Sequence, residues 1–221
     1  MLGLAGGAKP KVGERVPVIE DLRKEKGRRK PSRQSEVNTM GLFTSTEFNS
    51  FKDLFVEQIE DLYDAEQRLV EALPKMAEAA SSSQLKQAFQ HHLSETQGHV
   101  SRLESVFREV NVEPERSTCQ AMKGLVAEGE EMIKAKGDPD VKDAALIAAA
   151  QRVEHYEISG YGTARSFARR LGLTQAPTLL QKTLDEESAA DEKLTQIAES
   201  SVNLQAAGGA GQGIGQTVGR F

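Results

Sequence analysis

Cysteine occurs once in the 221 residues, at Cys119, and tryptophan does not occur at all. A single thiol excludes a disulfide framework within one chain and any zinc site built from several cysteines. Aromatic residues make up only 5% of the chain, so a core has to be filled by Leu, Ile, Val and Ala, as in helical proteins. No apolar run approaches the ~20 residues that span a bilayer. Residues 1–10 also lack the apolar stretch of a secretory signal. These absences lead to the expectation of a soluble, cytoplasmic protein with no membrane partner. The length suits one domain, at most two, with a real core.

The formal net charge of −5 hides a division. Residues 1–39 hold ten basic and five acidic groups, which leaves 18 basic and 28 acidic residues for the remainder. The basic stretch is poor in apolar residues, contains Pro10, Pro17 and Pro31, and has no sustained period, so residues 1–43 are expected to form a disordered tail. Such a tail can touch nucleic acid or anionic lipid. The plainer readings are a solvated tail or an upstream stretch read into the gene, because Met40 and Gly41 stand just before the first ordered pattern. Residues 203–221 are Gly-rich and are expected to be a flexible tail. The span 44–202 is left as the folded domain.

Five helical segments are predicted there. The first runs from about Ser45 to Ala79, with Phe48, Phe51, Phe55, Ile59, Leu62, Leu69, Leu73 and Met76 in steps of three and four. Pro74 should kink it or end its regular part. The serines at 81–83 cap a second helix, which runs from Gln84 to about Val110. A third, shorter helix is expected from about Ser117 to Lys136. Asp138 followed by Pro139 opens a fourth that ends at Gly172, and a fifth starts near Pro177 and fades after about Ser200. No segment alternates with period two over a strand's length. The expected fold is all-α: a bundle of four long helices with a short crossover helix.

The apolar stripes are interrupted. In the first helix the missing member is Glu66, and in the fourth it is Glu157. The second helix has a gap holding His92, Thr96 and His99, with Glu95 beside them, and the fifth has Glu187 and Asp191. All four long helices therefore aim ionisable groups inward near their midpoints. Isolated buried carboxylates cost several kcal/mol each. Divalent cations compensate such a cluster, and no web of Lys or Arg falls on these stripes. Glu95 and His99 are four apart and share a helix face, and Glu187 and Asp191 repeat the spacing. One Glu from each of two helices, and an acid plus a second ligand from each of two more, is the layout of a di-iron carboxylate bundle.

The strings LFVEQIEDLYDAEQRLVEALPKMAEAA, HHLSETQGHVSRLE, AMKGLVAEGEEMI, VEHYEISGYGTA and TLDEESAADEKL resemble the YciE/YciF-type stress proteins of the ferritin-like superfamily. The resemblance covers about two-thirds of the chain, in helical order. It implies a ferritin-like four-helix bundle and a di-iron site, with the ferroxidase label given by analogy. Two features depart from the usual ferritin-like pattern: Glu95 and His99 stand four apart where Glu-x-x-His is common, and Asp191 stands where a His is typical.

Each candidate has a plainer alternative. Glu66 and Glu157 become rim residues if their helices rotate by one position. Glu95 with His99 could be a surface pair, and Glu187 with Asp191 lies in the acid-rich run 185–192, which could be a solvated face. His92 could support a ligand or be a satisfied core histidine, and Glu154 could substitute for Glu157. Tyr63 and Tyr161 could hydrogen-bond ligating carboxylates or be core tyrosines satisfied elsewhere. His91, His155 and Cys119 have no assigned role. The expected chemistry is two iron ions, or manganese, bridged by Glu66 and Glu157, with Glu95, His99, Glu187 and Asp191 as terminal ligands and O₂ or peroxide as reactant. A homodimer is the expected assembly. The rival reading is a non-catalytic helical stress protein or interaction scaffold with an empty or vestigial site. A third is metal-dependent oxidation of an organic substrate, which needs a cavity beside the metals.

Overall fold

Each helix begins where a side chain can accept its first free amide hydrogens. In the computed structural model, which describes residues 47–209, Ser50 accepts from the Asp53 amide and opens α1, Phe51–Ala79. Ser82 accepts from the Leu85 amide and opens α2, Ser83–Glu109. Cys119 places its sulfur on the Met122 amide and opens α3, Gln120–Lys134. Asp138 accepts from the amides of Asp140 and Val141 ahead of α4, Pro139–Arg170. The fifth helix, α5, spans Ala176–Ile197 and has no cap of its own. Glu109, at the end of α2, supplies one by accepting from the amides of Thr174, Gln175 and Ala176 at 2.6, 3.1 and 2.7 Å. A π-helical turn, Ala198–Val202, leads into α6, Asn203–Gly209.

Both α2 and α4 stop in the same way. The amide one residue past the cap bonds back three residues and the next amide bonds back five, at Asn111 and Val112 after α2 and at Gly172 and Leu173 after α4. This turn needs a left-handed residue, and Asn111 (φ 57°) and Gly172 (φ 70°) supply it.

Two boundaries differ from expectation, and the first helix runs on through its proline. Residues 47–50 are non-helical, so α1 starts at Phe51 rather than near Ser45. Pro74 does not end α1, which continues through it to Ala79. Leu73, Met76 and Ala77 on either side are buried, and their burial outweighs the roughly 3 kcal/mol that an internal proline costs. Residues 203–209, expected as the start of a flexible tail, are helical. The tail assigned to 1–43, and residues 210–221, lie outside the described residues.

Helix α1 packs on α2 and α4, and α5 packs on the same two, so the four long helices close a square. The connections α1–α2 and α4–α5 are short, and the link from α2 to α4 is long and carries α3, which packs on α1 and α4. This is a four-helix bundle with one crossover. Its apolar core comes in two parts. One holds Leu69, Leu73, Met76, Leu85, Phe89, Met122, Leu146 and Leu194; the other holds Phe55, Ile59, Leu62, Leu103, Phe107, Tyr161 and Leu180. At Gly160 the α1 and α4 helices come so close that a Cβ would stand 2.8 Å from Leu62 Cδ2. In each long helix, the buried residues between these two clusters are the polar ones. No strand occurs among the described residues, and no described helix is long and apolar enough to cross a membrane.

Candidate metal centre

Glu66 lies four residues after Leu62 and three before Leu69, so helix geometry alone puts it on the buried stripe. The same holds for Glu157 on α4, Glu187 on α5 and His99 on α2; all four are fully buried. His92 (6% exposed) and Glu154 (2%) join them. Two groups of donor atoms result, each with its atoms within 4.8 Å of one another: His92, Glu154, Glu157 and Glu187 form one, and Glu66, His99 and Glu187 form the other. Glu187 belongs to both. Glu66 and Glu157, the pair expected to bridge, each belong to one group only.

These side chains are packed without being satisfied. Both carboxylate oxygens of Glu157 and of Glu187, one oxygen each of Glu66 and Glu154, both ring nitrogens of His92, and Nδ1 of His99 are buried with no hydrogen-bond partner among the described residues. His99 Nδ1 comes within 2.8 Å of Glu187 Oε1 and 3.2 Å of Glu66 Oε1, but neither approach is aligned as a hydrogen bond. Lone pairs of several residues thus converge on shared space. Leaving buried polar atoms unmatched costs about 1–3 kcal/mol each, and a cation at the convergence point removes that cost. The donor set, four carboxylates and two imidazoles, is the one found in di-iron carboxylate bundles, although here both imidazoles come from α2 and two carboxylates from α4. Four carboxylates also match the charge of two divalent ions. The residues fit a pair of metals.

Titration follows the same geometry. Burial pushes the carboxyls of Glu66 and Glu157 upward, Glu157 strongly, with the neighbouring acids adding to the effect on Glu157. Burial also raises Glu154, to about 8. Burial by itself lowers a histidine, but the Glu154 carboxylate and its neighbours overcome it at His92, which rises to about 9. At His99 the Glu187 and Glu66 carboxylates do the same and raise it to about 10. With no cation present, protons take the cation's place.

An outer ring fixes the inner ligands. Tyr161 donates from its hydroxyl to Glu66 Oε1 at 2.5 Å, and Thr96 closes its hydroxyl onto the His92 carbonyl. His99 turns Nε2 to Glu186 at 3.0 Å. Glu186 is also gripped by Arg102, whose Nε donates to Thr183. A carboxylate behind an imidazole sets its tautomer and leaves the other nitrogen free to ligate. Glu186 and Arg102 were not anticipated from sequence. Their signal was weak: Glu186 sits inside an acid run, and Arg102 lies three residues past His99 on the next turn.

Two expected ligands are not brought into either group. Glu95 is partly exposed and sits 3.5 Å from His92 Nδ1 without hydrogen-bonding it. Position 95 lies roughly 60° around the helix from His92, on the edge of the buried stripe. Asp191 is likewise at the stripe's edge, where it accepts from Gln151 at 3.0 Å and pairs with His155 at 3.4 Å. In exchange, His92 moves inward, and Glu154 accompanies Glu157 rather than replacing it. The arc of α4 that is buried is widened by α3, and this packing places Glu154 inside. Tyr63 points its hydroxyl at Glu104, 3.5 Å away, and not at a donor of either group. Cys119 caps α3 and lies 3.1 Å from the Tyr156 hydroxyl.

Residues 50–207 match the family described as Domain of unknown function (DUF892). YciF of Escherichia coli (strain K12) is 46% identical over 158 residues, which cover 71% of this chain and 95% of YciF. The crystal structure of the E. coli stress protein YciF superposes with a TM-score of 0.68 over 71% of this chain and 99% of that one, at 45% identity. YcfI of Rhodopseudomonas palustris gives a TM-score of 0.67 at 40% identity over the same shares. A ferritin-like, diiron-carboxylate protein from Bacillus anthracis matches at 17% identity and a TM-score of 0.53, over 68% of this chain and 99% of its own, which bears on the fold alone. A ferritin-like helical bundle with a cluster of buried carboxylates and imidazoles, nearly half identical to YciF over most of its length, this chain belongs to the DUF892 family.

Proposed function

We propose that this protein is a YciF-type stress protein whose bundle centre binds two divalent metal ions, iron in the first instance, and that it acts as a ferroxidase that consumes O₂ or peroxide. The observation that carries this reading is the set of six buried residues, drawn from all four long helices, each of which turns at least one donor atom without a hydrogen-bond partner toward the others. When bound, iron supplies the electrons that reduce the oxidant. Glu187 is placed to be shared between the two positions, with Glu66 and His99 on one side and His92, Glu154 and Glu157 on the other. Tyr161 holds a proton at Glu66 Oε1 and fixes that carboxylate's orientation. Glu186 and Arg102 keep Nε2 of His99 occupied, so that Nδ1 faces the centre. The two apolar clusters on either side exclude bulk water.

Elemental analysis of protein purified without chelator, followed by oxygen uptake on addition of Fe(II), tests the reading. Co-purified iron or manganese together with Fe(II)-dependent oxygen uptake supports it. A protein that neither carries metal nor takes up Fe(II) sinks it in favour of a non-catalytic helical scaffold.

A further inference from the structure

Two openings reach the His92–Glu154 side of the centre. One, between α1, α3 and α4, is an apolar cavity of about 40 Å³ lined by residues such as Leu73, Met76, Val126 and Val153, with His92 and Glu154 at its end. The other is a groove of about 660 Å³ between α2 and α5. Its walls include Gln87, His91, Glu95 and Lys193 beside the same His92 and Glu154. A hydrated divalent ion cannot shed its water against an apolar wall, because bare charge in an apolar medium costs many kcal/mol. Of these two, the groove has both the room and the polar atoms.

The groove also contains a graded series of donors. His91 is exposed and stands 3.3 Å from Glu95 Oε1. Glu95, half-sunk, stands 3.5 Å from His92 Nδ1. His92, more than nine-tenths buried with both ring nitrogens lacking a hydrogen-bond partner, stands 3.4 Å from Glu154 and 3.5 Å from Glu187. From solvent to the shared Glu187, each step is short enough for an ion to exchange one ligand for the next. Lys193 on the facing wall is the opposing charge.

We propose that the α2–α5 groove is the entry route for a hydrated divalent cation, with His91 and Glu95 forming a transit site that passes the ion to His92 and Glu154. This rests on the metal-centre reading above. It gives a role to His91 and explains why Glu95 faces the groove rather than the centre. A transit site lowers the barrier in both directions, so its loss slows loading and release by the same factor and leaves affinity unchanged. A residue that only positions His92 changes affinity.

The test uses the full chain and Co(II) alone. Loading is followed by visible absorption after chelator treatment and a circular-dichroism check, and release from the loaded protein is followed by transfer to a coloured chelator. Glu95→Gln and His91→Ala should each slow both rates about tenfold, the scale of electrostatic steering in a charged cleft, with stoichiometry unchanged. Lys193→Glu should speed both. Unchanged rates at full stoichiometry in both slowing variants overturn the route alone. Loss of one bound ion in Glu95→Gln makes Glu95 a resident ligand and also overturns the route. A wild type that binds no Co(II) overturns the metal centre itself, and the route with it.

Discussion

Asp64 and Asp143 are buried as deeply as Glu157 and Glu187, with about 1% of their surface exposed, yet they occupy a different chemical situation. Asp64 accepts from Arg68 and Arg116 at 2.6 Å each and from the Cys119 amide at 2.8 Å, tying the α2–α3 connection to α1. Asp143 accepts from the amides of Ser81 and Ser82 at 2.9 and 2.6 Å, holding the α1–α2 turn against α4. Every donor they need is supplied by the chain. Glu157 and Glu187 at mid-bundle have no hydrogen-bond donor, and Glu187 is met only by the unaligned approaches of His99 at 2.8 Å and His92 at 3.5 Å. Burial of an acid therefore does not by itself point to a metal site; burial without hydrogen-bond donors from the chain is the more telling observation.

The sharpest way to break this contrast is by metal content. Replacing Glu66 and Glu157 together with Ala should abolish metal binding, while Asp64→Ala should leave the bound metal per folded chain unchanged, as read by elemental analysis. Metal retained in the double variant, or lost in Asp64→Ala, would erase the distinction.

Stability should respond with opposite signs. Asp64→Ala strands a buried amide and two arginines, costing about 2–3 kcal/mol. In metal-free protein, Glu157→Met removes an unmatched buried acid at similar volume and should raise stability by about 1–3 kcal/mol. Chemical denaturation in the presence of chelator measures both.

The two sets should also respond to pH in opposite directions. Glu154, His92 and His99 have folded-state values raised to about 8, 9 and 10. The folded metal-free state therefore holds protons that the unfolded chain has released, and stability falls as pH rises from about 5 towards 10. Added metal should cancel this loss, since the ligands bind it deprotonated. At Asp64, burial works to raise the carboxyl, but Arg68 and Arg116 prevail and hold it below its ordinary 3.8. Its contribution is present at neutral pH and disappears only under acid. Thermal melts across pH, with and without Mn(II), separate the two; an apo-protein whose melting temperature climbs between pH 6 and 9 would contradict the reading.

The smallest effect concerns the end of α2. Asn111→Ala keeps the left-handed turn with a poorer residue and should cost about 1 kcal/mol, whereas Asn111→Gly should be neutral or better. Neither should alter metal content, since Asn111 caps the helix and does not touch the centre.

Much of the fold was legible because its signals are local. Ser82 and Asp138 cap the helices they were expected to cap, and Gly172 ends α4 as its position suggested. α1 runs through Pro74 to its expected end at Ala79 because tertiary burial on both sides overrides a backbone penalty. At the site, Glu66, His99, Glu157 and Glu187 were legible as gaps in apolar stripes. His92 and Glu154, expected as supporting or substitute residues, join the buried donor groups, whereas Glu95 and Asp191 stand outside both. All four are edge-of-stripe decisions, set by which neighbouring helix covers that edge.

The sequence by itself determined an all-α bundle and the level at which its polar groups meet, because helical periodicity fixes which residues share a face and how far along it they lie. Only the tertiary structure decided which of those groups face one another. The rotation of each helix, the cover of α3 over α4, and the distant partners of Asp64 and Glu109 come from contacts between residues far apart in the chain, and no local pattern encodes them.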